Sequence, residues 1–330
     1  MLFDCAPASS PLVGIAKLAA ESELLSAKSQ VRYFQIPARR LLNRTKPRMP
    51  FGWTINPYRG CEFGCKYCYA RYTHEFMGME DGVSFENRIY AKASVAALLR
   101  RELVETPRTD GIAIGTATDP YQPAERRYRR TRAILEVFLQ EKGRRLSLVT
   151  KSDLILRDLD LLREIARRNV LTVNITITTL HTRLARLLEP RAPRPDLRLA
   201  AVQGLADAGI RVGVYATPVL PLITDRERSL DRVARAARAT GAGHFGGGLL
   251  FLMPSAQKVF FPFLEERFPR LLAAYRREYA KSAYLTGAYK QEVAERVRRI
   301  RERHGLAASP VEYQPELWEG EEQAELFPLH

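Results

Sequence analysis

The chain has 330 residues, 46% of them hydrophobic and 27% charged, which supplies a globular core and excludes a disordered chain. Because no run of about 18 apolar residues occurs, a membrane-spanning helix is excluded, and the start MLFDCAPASSPLVG lacks the regions of a secretory signal, so a cytoplasmic protein is expected. The +15 net charge favours a polyanionic partner, and four cysteines, three of them crowded into residues 61–68, do not make a disulfide framework.

Residues 1–50 read as an N-terminal extension: a weakly helical stretch, IAKLAAESELLSAK, then a basic, proline-containing arm, YFQIPARRLLNRTKPRMP, expected to be extended. From residue 51 to 255, β-branched runs alternate with amphipathic segments. GIAIGTAT precedes RTRAILEVFLQEKG, RLSLVTKS precedes LDLLREIARRN, LTVNITITT precedes RLAAVQGLADAG, and RVGVYATPVL precedes SLDRVARAARATG, with GGGLLFLMP last. Such alternation predicts βα units on a parallel sheet, about six of them, hence an α/β fold of the partial (βα)6 TIM-like barrel type with its working face at the C-terminal ends of the strands. Residues 256–305 are helical in pattern and are expected to cover the open side or the bottom of the barrel. Residues 306–330 form an acidic, proline-bearing tail, expected to be flexible.

The chemistry concentrates in CEFGCKYCYARYT, where Cys61, Cys65 and Cys68 have the spacing C-x3-C-x2-C; Cys5 stands alone and reads as a bystander. Structural zinc takes four protein ligands, and only His74 is near enough in sequence to complete such a set. Iron–sulfur clusters prefer thiolates and leave an iron open when three are supplied, which suits this loop better.

With Tyr67 before the last cysteine, this motif resembles the signature of the radical S-adenosylmethionine (SAM) enzymes. The longer string NPYRGCEFGCKYCYAR is similar to the spore photoproduct lyase-like, DNA-repair photolyase-type subfamily, over about residues 50 to 255. The resemblance implies a [4Fe-4S] cluster on Cys61, Cys65 and Cys68, SAM chelated to the open iron, and an electron donor such as flavodoxin or ferredoxin. It also implies cleavage of SAM to a 5′-deoxyadenosyl radical, and a cofactor site made by Tyr67, Thr118, Asp119, Lys151 and Asn174. Thr118 and Asp119 lie in GTATDPYQPAE, where Glu125 is expected to orient the loop; the string has no glycine pair for a phosphate loop, and Asp119-Pro120 also suits an ordinary turn. Lys151 ends the strand RLSLVT, and Asn174 and Thr176 alternate on one face of their strand. Glu189 and Arg191 are expected to form a structural ion pair, with Pro218 near a later strand end.

One departure concerns mechanism. The lyases proper carry a hydrogen-donating cysteine where this chain has Thr116, and no cysteine follows Cys68, which leaves Tyr121, Tyr128 and Tyr215 as candidate relays. In the tail, Gln323, Leu326 and Phe327 of QAELF are similar to the peptide by which repair proteins dock on the sliding clamp, while the acidic residues around them also suit masking of the basic body. Charge, barrel and tail point to nucleic acid, DNA above all, and to repair of a base. The rival readings are radical modification of RNA or of a protein side chain, and a non-catalytic iron–sulfur protein that binds DNA or the clamp.

Overall fold

The structure, a computed structural model, describes residues 12–46 and 49–318. Helix α1 (Gly14–Ala20) opens it, and the expected helix stops there: ELLSAK is strand β1 (Glu23–Lys28), paired antiparallel with β2 (Val31–Ile36). The two strands meet through a tight turn in which Ser29 takes a φ of 53°. Beyond them come β3 (Leu42–Arg44), β4 (Trp53–Ile55), β5 (Tyr58–Arg59) and β6 (Arg88–Lys92). A small sheet has the order β1-β2-β6-β5. Residues before 50 supply strands to both sheets: β2 pairs with β6 in the small sheet and β3 with β4 in the large one.

The large sheet adds β7 (Gly111–Ile114), β8 (Arg145–Thr150), β9 (Val170–Thr176), β10 (Arg211–Tyr215) and β11 (His244–Gly246). Its order is β11-β10-β9-β8-β7-β4-β3, with six parallel strands from β4 to β11 and β3 antiparallel at one edge. Helices α2 (Val95–Leu103), α3 (Arg130–Phe138), α4 (Leu159–Arg168), α5 (Pro195–Asp207) and α6 (Glu227–Ala239) carry the chain back between them. This is the expected six-unit α/β architecture, an open barrel with β3 and β11 as its edge strands.

Strand alternation separates the two faces of the sheet. Leu146, Leu148, Leu171, Val173, Ile175, Val212 and Val214 join the core under the helices, with Leu99, Ile134, Phe138, Ile165 and Val202 from the other layer. Residues of the opposite phase line the barrel interior: Ser147, Val149, Thr172, Asn174, Thr176, Gly213, Tyr215 and His244.

Register explains one interior contact. Asn174, Gly213 and His244 stand side by side on β9, β10 and β11. With no side chain on Gly213, His244 reaches over it, and its Nε2 donates to Asn174 Oδ1 at 2.7 Å; Asn174 Nδ2 donates to Ser147 Oγ at 3.2 Å. Burial lowers the His244 pKa to about 4, so the ring is neutral. A Cβ on Gly213 would lie 2.0 Å from His244 Nε2. Gly213→Ala is therefore expected to displace the ring and cost about 1–3 kcal/mol in urea unfolding; wild-type stability would show that the ring can move freely.

Helices α7 (Pro254–Arg267) and α8 (Pro269–Glu278) pack beside the cysteine loop through Phe260, Phe263, Leu264 and Tyr275, and α9 (Gly287–Arg303) lies against α6 and β11. The described part of the tail differs from expectation: residues 306–318 line the N-terminal ends of the strands. Ala307 exchanges backbone bonds with Gly243 and Phe245, Tyr313 OH receives Leu171 N–H at 2.9 Å, and Glu312 and Glu316 face Arg145 and Arg167 at 3.1 and 3.0 Å. Masking of basic residues by this acidic segment is thus visible in part, through exposed pairs that contribute little stability. Gln323, Leu326 and Phe327 lie outside the described residues, as does Cys5. No helix among the described residues is long and apolar enough to cross a membrane.

Candidate active site at the cysteine loop

The cysteine loop leaves β5 at the C-terminal end of the barrel. Gly60 precedes it with φ +81°, and a Cβ there would lie 2.7 Å from Phe85 O and 2.8 Å from Arg88 O, so only glycine admits this approach. The loop is tied down by its backbone: Cys61 N–H donates to Phe85 O, Lys66 N–H to Leu188 O and Arg191 N–H to Phe63 O. Arg71, fully buried, donates to Cys65 O at 2.9 Å, Gly82 O at 2.5 Å and Glu86 Oε2 at 2.7 Å.

All three cysteines are free thiols, Cys61 and Cys65 buried and Cys68 half-buried, beside Phe63, Tyr67, Ala70 and Leu252. Burial raises each thiol pKa, that of Cys65 to about 12. Thiolates there call for a positive partner. His74 does not complete a zinc set in this arrangement. Its Nε2 bonds Arg88 O at 2.9 Å, its ring packs edge-on against Phe85 and Tyr90, and burial lowers its pKa to about 4.

The loop after β7 clamps the cysteine loop. Thr118 Oγ1 donates to Gly60 O at 2.6 Å, and the fully buried Gln122 donates to Gly60 O and Thr118 Oγ1 while its Oε1 accepts from Glu62 N–H. Tyr69 OH donates to Thr116 O, and Asn56 Nδ2 donates to Thr116 Oγ1. Asp119 accepts from Tyr121 N–H, Thr150 Oγ1 and, at 2.8 Å, Lys151 N–H, although burial holds its pKa above the ordinary value. Thr118 and Asp119 therefore spend their polar atoms on loop geometry, and Asp119 places Lys151. Glu125 orients the following turn as expected, accepting from Tyr58 OH, Thr131 N–H, Arg132 N–H and Arg157.

Lys151 points from the end of β8 towards Tyr67, its Nζ 6.0 Å from the ring centroid, and among the described residues Nζ donates no hydrogen bond. Burial opposes its charge, but the negative charge of a Cys65 thiolate and of the Glu189 carboxylate outweighs burial and raises its pKa. Tyr67 OH donates to Glu189 Oε1, which also accepts from Thr178 Oγ1 at 2.7 Å. Here the expected pairing is corrected. Glu189 pairs with Arg198 at 2.5 Å, whereas Arg191 faces Glu86 at 3.5 Å. Arg198 sits on α5 and its side chain turns inward, also donating to Pro193 O and Thr176 O. Sequence reading missed Arg198, Gln122, Arg71 and His244; a charged residue in the apolar phase of a helix was the available signal for Arg198.

Of the three tyrosines, Tyr121 is buried with its hydroxyl unpartnered among the described residues, and Tyr128 stands against the small sheet, its hydroxyl 2.6 Å from Ser26 Oγ. Tyr215 ends β10, half-buried, its ring edge-on to His244, so it is the one of the three that shares the interior face.

The sequence model of the radical SAM superfamily matches residues 55–233, more than half the chain, including the cysteine loop and, in full, four of the six parallel strands. The chain belongs to the radical SAM superfamily. It is thus a radical SAM enzyme, a class that works with a [4Fe-4S] cluster, SAM and an electron donor. An uncharacterized protein of Mycobacterium tuberculosis (strain ATCC 25618 / H37Rv) is 37% identical over 263 residues, 78% of this chain and 76% of that one. A second, from Methanocaldococcus jannaschii, is 28% identical over 242 residues, 73% of this chain and 85% of that one. Among solved structures, a spore photoproduct lyase mutant with bound AdoMet and dinucleoside spore photoproduct matches with a TM-score of 0.59 at 18% identity, covering 83% of this chain and 80% of that one. At that identity the likeness is one of fold. The residues fit the family's groups: three thiols on one rigid loop with His74 held elsewhere, and beside them a lysine ammonium without a hydrogen-bond acceptor of its own.

Proposed function

We propose that this radical SAM enzyme acts on a nucleic-acid base in the repair of DNA. The observation that carries the reading is the position of the cysteine loop: three thiols at the C-terminal mouth of an open barrel whose interior carries polar side chains, with the Lys151 cation beside them. A DNA base as substrate is supported by the +15 charge and by the shared fold with a lyase whose described ligand is a dinucleoside photoproduct.

In this reading Cys61, Cys65 and Cys68 hold the cluster. Lys151 binds the SAM carboxylate, Tyr67 walls the pocket, and Thr118 and Asp119 act one step back, by fixing the loop and Lys151. Asn174 sets the polar floor with Ser147 and His244. The cluster and SAM together supply a carbon radical, and the chain's own task is to orient the base and exclude water. A base stacked in a duplex must be presented unstacked. Flavodoxin or ferredoxin suits the electron supply. The catalytic unit is residues 51–255, with 1–50 as an extension, 256–305 as a helical cover and 306–330 as a tail.

The test is anaerobic reconstitution with iron and sulfide, reduction by dithionite, and assay of 5′-deoxyadenosine with ultraviolet-irradiated oligothymidylate, RNA or peptide added. Stimulation by irradiated DNA, with a mass change in that DNA, is the expected result. SAM cleavage stimulated by RNA or peptide and not by DNA would move the substrate class.

A further inference from the structure

At the C-terminal end of the barrel a row of aromatic rings runs from the loop after β7 to the segments after β11. Tyr69, next to Cys68, is held at the top of β7 by its bond to Thr116 O. Its ring meets Phe251, which follows β11, with centroids 5.7 Å apart. Phe251 in turn stacks on Tyr284, centroids 4.3 Å apart and planes 23° from parallel. The stack is fixed from behind: Leu252 N–H donates to Ala283 O, Leu250 N–H to Val219 O, and Tyr279 OH to Leu250 O. Its outer member is not covered. Tyr284 is 61% exposed, and its hydroxyl has no partner among the described residues.

The exposed ring at the end of this stack offers a free face to a planar occupant, and the chemistry nearby narrows which. The segment 270–281, leading to Tyr284, carries Arg270, Arg276, Arg277 and Lys281 on the surface against a single acid, Glu278. Aromatic faces with cations alongside are how proteins hold unpaired bases: rings take the bases and cations take the phosphates. An apolar peptide would leave this charge unused.

We propose that Tyr69, Phe251 and Tyr284 form a stacking platform for an unpaired base of single-stranded DNA at the mouth of the barrel. The proposal rests on the nucleic-acid reading above and adds where the strand is gripped: a base continues the stack on the free face of Tyr284, and its neighbour along the strand is directed to the opening beside Cys68.

The test uses full-length reconstituted protein and fluorescence anisotropy with a labelled single-stranded oligothymidylate, an abasic strand of equal length and an oligouridylate, at low salt. Wild type is expected to prefer oligothymidylate to the abasic strand. Tyr284→Ala is expected to weaken oligothymidylate binding about 5- to 150-fold and to erase that preference, whereas Tyr284→Phe, which keeps the ring, stays within about twofold. An unchanged thermal midpoint for Tyr284→Ala shows that the fold is intact. Binding by Tyr284→Ala equal to wild type, or no preference for bases over the abasic strand, overturns the platform and leaves the nucleic-acid reading standing. Failure of every strand to bind overturns both, and tighter, Tyr284-dependent binding of oligouridylate overturns the assignment to DNA.

Discussion

Cys65→Ala is expected to lose its iron and to form no 5′-deoxyadenosine above background. Cys65 is 7% exposed, and burial holds its thiol at about 12, so at neutral pH a thiolate exists there only when a cation stabilises it. Lys151 works in that direction but does not bring the thiol back to its ordinary value. An iron–sulfur cluster provides the positive charge, and the three thiols provide the protein ligands; alanine leaves two. Loss of an outer-shell partner of a metal ligand typically costs 10–100-fold, so loss of a ligand itself is expected to cost more than about 100-fold. Iron and sulfide per chain after anaerobic reconstitution measure binding, and chromatographic assay of 5′-deoxyadenosine measures turnover. Cys5→Ala serves as the control and is expected to behave as wild type. A Cys65→Ala protein that keeps its iron and still cleaves SAM would remove Cys65 from the ligand set.

The parts of this molecule that were legible in the sequence are those coded by short-range pattern. RLSLVT alternates so that Leu146 and Leu148 face the helices while Ser147 and Val149 face the interior, and that phase is readable before any fold is known. The cysteine spacing is equally local. What was not legible depends on partners far along the chain. ELLSAK has mostly exposed residues and little β preference, and it is a strand because VRYFQI, itself docked on β6, offers it an edge. Glu189 has Arg191 two positions away, but the guanidinium that meets it comes from Arg198, where α5 turns one charged position into the barrel. The acidic segment 306–318 is held by bonds to β9 and β11 that its composition does not announce. Tyr69, Phe251 and Tyr284 come from three separate segments, and only the fold sets them in one row.

Arg198→Met is expected to destabilise the protein by about 3–5 kcal/mol, because it strands a carboxylate in the interior. Both side chains of the Glu189–Arg198 pair are 1% exposed. Burial alone would favour protonated Glu189, but Arg198 first and Lys151 second hold its pKa below the ordinary value, so the carboxylate is charged and answers to two cations. Removing Arg198 leaves Lys151 as its remaining cation and frees Pro193 O and Thr176 O from their donor. The consequence reaches the site, since Glu189 Oε1 is the acceptor that holds the hydroxyl of Tyr67, the residue before Cys68. Glu189→Gln keeps the shape and removes the charge, leaving Arg198 buried without a counter-ion, and is expected to cost about as much. The double variant has neither stranded charge, so its loss should be well below the sum of the two single losses. Urea unfolding of the four metal-free proteins measures this cycle. Additive losses, or a single-variant loss below about 1 kcal/mol, would show that the pair is not coupled.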